Sequence, residues 1–158
     1  QNEAMTFAHN IIVMDEGSIV QVGTPQELFE RPQTTFVGYF IGAPAMNMYK
    51  GMISGKNDVS VDGHKFKTKT DLSKIKTYNV KLGIRAEFIT LSATKSSGAI
   101  QAVVTRMEDF GNYRLITVQV GDMVVKAKAK REAALPTDKV WVTFPAERCC
   151  VYADEVLV

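Results

Sequence analysis

Up to about residue 45 the apolar positions of this chain fall in short blocks of mixed spacing. From residue 47 onward they alternate with polar positions almost without a break. In the first part, the run Ile11 to Met14, the turn residues Asp15-Glu16-Gly17 and a second run, Ser18 to Val22, predict a β-hairpin. Gly23 can leave the strand, Thr24 can cap, Pro25 suits a first helical position, and Glu27 stands three residues after the cap. This capping box predicts a short helix that stops near Arg31-Pro32. Gln1 to Ala8 reads as the end of a helix. Thr34 to Gly42 reads as another, with Phe36, Val37, Phe40 and Ile41 on one face as a packing stripe.

In the second part the period-two pattern predicts strands at Met48 to Ser54, Val59 to Val61, His64 to Phe66, Val80 to Arg85 and Ile89 to Ser92. It continues with Ile100 to Met107, Arg114 to Val120, Met123 to Ala129, Lys139 to Phe144 and Cys149 to Tyr152. Asp62-Gly63, Gly111-Asn112 and Gly121-Asp122 mark tight reversals between them. Many short strands at this spacing imply a barrel or sandwich. The boundary is expected near residues 43 to 47, dividing the chain into residues 1–45 and 46–158.

These blocks carry a family resemblance. Gln1, Glu3-Ala4-Met5-Thr6, Ala8, Ile11, Val13-Met14, Gly17, Ile19, Gln21, Gly23-Thr24-Pro25, Glu27-Leu28-Phe29 and Pro32 resemble the ATP-binding subunits of ABC importers. The likeness is nearest to the carbohydrate-uptake branch, which includes the maltose and sn-glycerol-3-phosphate importers. Phe36-Val37, Phe40-Ile41-Gly42, Pro44 and Met46-Asn47 are similar to the segment where such subunits leave their ATPase domain. Leu82-Gly83-Ile84-Arg85, Glu87, Met107 to Gly111, Val140 to Phe144 and Arg148 resemble the transport-associated OB-fold domain that follows. The family usually has Asp-Arg where His9-Asn10 stand, and Arg-Pro-Glu where Arg85-Ala86-Glu87 stand.

The resemblance implies a mainly β fold: a small OB-type β-barrel domain over residues 46–158, preceded by a short α+β tail of the ATPase domain over residues 1–45. It implies that the intact subunit is a transport ATPase that uses ATP and Mg to drive import of a sugar or polyol phosphate. Its expected partners are a second copy of the same subunit, the membrane subunits and a solute-binding protein, on the cytoplasmic side of the bacterial inner membrane. This piece is expected to supply dimer contacts and a surface for a small-molecule or protein regulator. Because the chain starts inside a helical pattern without an initiator methionine, it reads as a piece of that subunit whose phosphate loop and switch histidine lie before residue 1.

Composition narrows the alternatives. With 158 residues, 46% apolar and 23% charged, the chain can bury one ordinary core. No apolar run approaches the roughly 18 to 20 residues that span a bilayer. The net charge of +2 conceals an acidic first part, with 2 basic and 5 acidic residues in 1–50, and a basic remainder, with 17 and 12. That excess is mild, so no nucleic-acid partner is expected. A free-standing OB-type module binding nucleic acid or a small anion is the alternative. It would place aromatics among the lysines, and only Phe66, among Lys65, Lys67 and Lys69, fits that pattern. Lys126 and Lys128 should point together into solvent. Adjacent Cys149 and Cys150 suggest free thiols in a reducing setting, one facing inward and the other outward.

No catalytic, cofactor-binding or metal site is expected among these residues. Ile11 to Glu16 imitates a magnesium-holding strand with its catalytic glutamate, but only ten residues precede it, too few for the phosphate loop such a strand works with. Gly51 to Asn57 imitates a phosphate loop, with three residues between its glycines in place of four and Asn where a hydroxyl is needed. His9 and His64 have no ligand-type neighbours at metal spacing. Trp141 is expected in the core. The candidate regulatory or dimer contacts are Arg85, Glu87, Glu108 and Asp109, charged groups beside predicted strand ends and turns and equally suited to surface ion pairs.

Overall fold

The computed structural model describes residues 1–158, which form three short helices and thirteen strands. The first part comprises α1 (Asn2–Phe7), β1 (Ile11–Asp15), β2 (Ser18–Gly23), α2 (Pro25–Glu30) and α3 (Thr35–Phe40). Glu16 and Gly17 both take positive φ, 48° and 82°, which gives the two-residue turn a twist that matches the paired strands. The capping box forms: the Glu27 amide donates to the Thr24 hydroxyl at 3.2 Å, and the Thr24 amide donates to the Glu27 carboxylate at 3.0 Å. The Thr34 hydroxyl caps α3 in the same way, accepting from the Val37 amide. Val13, Leu28, Val37 and Ile41 make a small core for this part. Phe40 leaves the expected packing stripe: it is half exposed and stacks on Phe36.

The second part contains β3 (Asn47–Gly55), β4 (Asp58–Val61), β5 (His64–Lys67), β6 (Asn79–Ile84) and β7 (Thr90–Ser92). It continues with β8 (Ile100–Asp109), β9 (Tyr113–Val120), β10 (Met123–Lys130), β11 (Lys139–Thr143), β12 (Cys150–Ala153) and β13 (Val156–Leu157). They build two antiparallel sheets, in the orders β13-β12-β6-β3-β4-β5 and β10-β9-β8-β11-β7. The alternate residues Val59 and Val61, Leu82 and Ile84, Ile116, Val118 and Val120, and Met123, Val125 and Ala127 meet in one core. The polar residues between them stay outside, so the period of two is the period of burial.

A side chain bridges the two sheets. β3 and β10 are not hydrogen-bonded neighbours in either sheet. Instead the Asn47 amide group stands against Lys126 as a second peptide would. Its Nδ2 donates to the Lys126 carbonyl at 2.9 Å, and its Oδ1 accepts from the Lys126 amide at 2.9 Å. Nδ2 also reaches the Ile84 carbonyl at 3.2 Å, and the Tyr49 hydroxyl lies 2.8 Å from the Val124 carbonyl. These contacts occupy the edge of β10, where free peptide groups would otherwise invite another strand.

Two expectations need correction, and the one residue that fitted the nucleic-acid alternative is internal. Cys149 and Cys150 do point to opposite faces, but both are buried. Cys149 enters the barrel core. Cys150 joins Met46 and Tyr152 beneath the first part of the chain, which covers the outer face of β12. Trp141 faces away from the core, half-buried, with the Lys95 ammonium 5.4 Å from its ring centre. Phe66 is no surface aromatic among lysines: it packs inside and stacks on Phe144 at 4.7 Å. Strand β13 is too short to leave a pattern in the sequence.

Two outcomes are expected. Replacing Asn47 with Ala strands both peptide groups of Lys126, and urea unfolding should register a loss of about 2 to 3 kcal/mol. Burial pushes the Cys149 thiol up to about 12 and raises Cys150 as well, so neither should react with Ellman's reagent at pH 8 until denaturant opens the fold.

Candidate functional site

Strand β6 runs Val80, Leu82, Ile84 into the core and then ends at Arg85, where the chain enters a 3₁₀ turn, Ala86–Phe88. The Arg85 side chain turns toward the first part of the molecule and is only 1% exposed. Its Nε donates to the Phe29 carbonyl at 2.9 Å, and its Nη1 donates to the Gly38 and Ile41 carbonyls at 3.0 and 2.5 Å. These acceptors lie at the C-terminal ends of α2 and α3, where a helix runs out of its own N–H donors and carries partial negative charge. The guanidinium also lies over the Phe29 ring at 4.6 Å. The same ring meets Phe88 edge-on, and Arg148 covers Phe88 at 4.0 Å. Burial lowers the Arg85 pKa from a very high starting point, and the group remains a cation. Gly42 has φ +94°, and a Cβ there would lie 3.1 Å from Nη1, so glycine serves both the backbone turn and the close approach.

Further contacts tie the same two parts together. The Tyr152 hydroxyl donates to the Pro32 carbonyl at 2.7 Å. Residues 33–35 lie along β13: the Leu157 amide donates to Gln33, and the Thr35 amide to Glu155. The Glu155 carboxylate takes the Thr35 hydroxyl and pairs with Lys81 at 2.7 Å. Lys81 and Thr35 hold the Glu155 carboxyl below its usual pKa, and Glu155 in turn raises that of Lys81.

The four candidate residues therefore separate. Arg85, expected beside surface ion pairs, is internal, because two helix ends cover it. Glu87 pairs with Lys128 at 3.2 Å, Glu108 with Arg106 at 3.2 Å, and Asp109 with Arg131 at 3.3 Å. Strand register brings these three to one end of the five-stranded sheet: Glu108 lies opposite Leu115, Leu115 opposite Lys128, and Asp109 opposite Arg114. The Gly111 amide and Arg131 hold the Asp109 carboxyl low. Lys128 is half-buried rather than free in solvent, with its ammonium 4.3 Å from the Tyr113 ring centre. Tyr152, Thr35, Glu155 and Asn47 are not among the candidates that the sequence offers. Tyr152 had one available signal, since it shares a strand face with Cys150. The others depend on partners 37 to 120 residues away.

Residues 82–151, most of the barrel, match the TOBE domain family, so this stretch is a TOBE domain. The fold of the chain resembles the cytoplasmic molybdate-binding protein ModG, solved with molybdate bound, with a TM-score of 0.57. That match covers 68% of this chain and 95% of the other at 14% identity. Among curated relatives, the sn-glycerol-3-phosphate import ATP-binding protein UgpC of Salmonella typhimurium is 37% identical over 150 residues, 92% of this chain and 41% of that protein. UgpC 1 of Rhizobium johnstonii is 38% identical over 73% of this chain and 32% of its own length. An uncharacterized ABC transporter ATP-binding protein of Sinorhizobium fredii is 36% identical over 94% of this chain and 40% of its own. The chain belongs to the ATP-binding subunits of ABC importers, as their C-terminal region with the TOBE domain. It spans about two fifths of the length of most of these relatives.

The pH dependence of the Glu155 contact has a definite sign. A lowered carboxylate pKa contributes stability above the ordinary value of 4.5 and loses it as pH falls through the lower folded value. The stability difference between the unmodified protein and Glu155→Gln should therefore be present at pH 7 and close on acidification below pH 4.5, as followed by urea midpoints.

Proposed function

We propose that this chain is the regulatory end of a subunit that hydrolyses ATP to import a sugar or polyol phosphate, sn-glycerol-3-phosphate first among them. The names of the UgpC relatives support the solute class. On this reading residues 1–45 complete the ATPase domain, and residues 46–158 are the regulatory barrel. ATP and Mg bind the intact subunit through residues outside this chain, which itself carries out no chemical step. The partners are a second copy, the membrane subunits and a solute-binding protein, with the barrel open to a small-molecule or protein regulator. The place of work is the cytoplasmic side of the bacterial inner membrane. No helix here is long and apolar enough to cross a membrane, which is compatible with a peripheral subunit.

One observation carries the reading. The β1–β2 hairpin buries Val13 against α2 and α3 but leaves its other face bare. There Ile12 lies opposite Val22 and Met14 opposite Ile19, and the four are 57, 56, 55 and 62% exposed. A two-stranded sheet has little stability of its own, and a contiguous apolar face marks an interface. The body of an ATPase domain is the natural cover for it.

The test compares this chain with the longer protein encoded with its upstream sequence. The longer protein should hydrolyse ATP in the presence of Mg, and the 158-residue chain should not. The double change Ile12→Asp and Ile19→Asp should leave the short chain's unfolding within about 0.5 kcal/mol, as for other exposed sites. In the longer protein it should depress ATPase activity and thermal stability together. A longer protein that neither binds nor hydrolyses ATP would overturn the proposal, and indifference to the double change would overturn the interface.

A further inference from the structure

We propose that Arg85 pins α2, α3 and the barrel into one rigid body, so that residues 43–46, which look like a linker in sequence, do not act as a hinge. Relative motion is the usual expectation for two parts of a chain joined by a short connection, here Ala43-Pro44-Ala45-Met46. Three features oppose it here. First, α2 and α3 have six residues each, too few to persist as isolated helices, so their order must come from what they dock against. Second, the guanidinium binds both helix ends at once. No carboxylate lies within ion-pairing distance of it, so its charge is balanced by the aligned carbonyls of Phe29, Gly38 and Ile41. A rotation of either helix removes acceptors from a cation that apolar groups otherwise surround. Third, the anchors come from three neighbouring strands of one sheet: Arg85 at the end of β6, Tyr152 on β12 and the backbone of β13. Contacts spread over three strands resist twisting as well as separation.

The consequence concerns how a signal crosses the molecule. A ligand or partner that displaces the barrel carries α2 and α3 with it as a unit and does not loosen the join. This rests on the contacts between α2, α3 and the barrel, with the β1–β2 hairpin packed on the same helices, so it stands or falls independently of the solute or the ATPase assignment.

Native-state amide hydrogen exchange on the full chain tests it. In the unmodified protein the amides of Leu28, Arg31, Gly38 and Ile41, each bonded within α2 or α3, should exchange with the same opening free energy as the slowest barrel amides. Arg85→Met should speed these four by about 100-fold while the barrel amides of β9 and β10 keep their rates. If Arg85→Met unfolds the barrel as well, Tyr152→Phe supplies the measurement, since it deletes only the hydroxyl, with its bond to the Pro32 carbonyl and its weak contact to the Met46 sulfur at 3.9 Å; it should speed the same four amides by about 10-fold. Helix amides already far faster than the barrel in the unmodified protein would overturn the proposal. So would unchanged protection in Arg85→Met, or in Tyr152→Phe where that variant is the one measured.

Discussion

A cation without a counter-ion holds this molecule together. Charges are rarely buried unless paired, because losing water costs several kcal/mol even after relaxation. Arg85 meets part of that cost through peptide groups, which take its Nε and Nη1, while its buried Nη2 has no partner. Two helices end around it with carbonyls beyond the reach of helical N–H groups, the Gly38 carbonyl being shared with the Met46 amide, and the flat guanidinium has enough donors to serve both. Each partner answers a deficiency in the other. The helices are too short to stand alone, and the cation would be stranded without them. The position of Gly42, the chain of contacts from Phe29 edge-on to Phe88 and on to Arg148, and the burial of Cys150 and Tyr152 all follow from bringing these ends together.

The two sheets are joined by another substitution of side chain for backbone. Asn47 offers Lys126 the same donor and acceptor that a neighbouring strand would, from a position where the two chains do not form a ladder. In both places a polar side chain completes backbone groups left over by secondary structure, and the same residue joins parts distant in sequence. The charged end of the five-stranded sheet is different in kind. Its pairs, Glu87 with Lys128, Glu108 with Arg106 and Asp109 with Arg131, are partly or fully open to water, where each is worth little to stability. They shape a surface and leave the fold to the core.

Much of the fold was legible because the signals were local. The capping box at Thr24 and Glu27, the Asp15-Glu16-Gly17 reversal and the alternation from Val59 to Val151 all act within a few residues, and each appears in the structure near its expected place. What escaped notice were properties that depend on what covers a face. Alternation told that Cys149 and Cys150 diverge. It gave no sign that the outward side of β12 is roofed by residues far earlier in the chain. The same blind spot put Arg85 at the surface and Trp141 in the core. A charged residue at the end of a strand looks alike whether solvent or a helix end lies beyond it, and a large ring in an apolar strand looks alike on either face.

Those two adjacent cysteines have a further use. A single sheet separates their thiols: Cys149 lies among the residues that face the other sheet, and Cys150 lies under the helices with its sulfur near the Glu30 carbonyl. One thiol is released to solvent when the two sheets part, the other when the helices lift away. The protein thus carries, one residue apart, two natural reporters, one for the barrel core and one for the cover over β12, and their release at a single denaturant concentration is the mark of a join that opens only with the barrel itself.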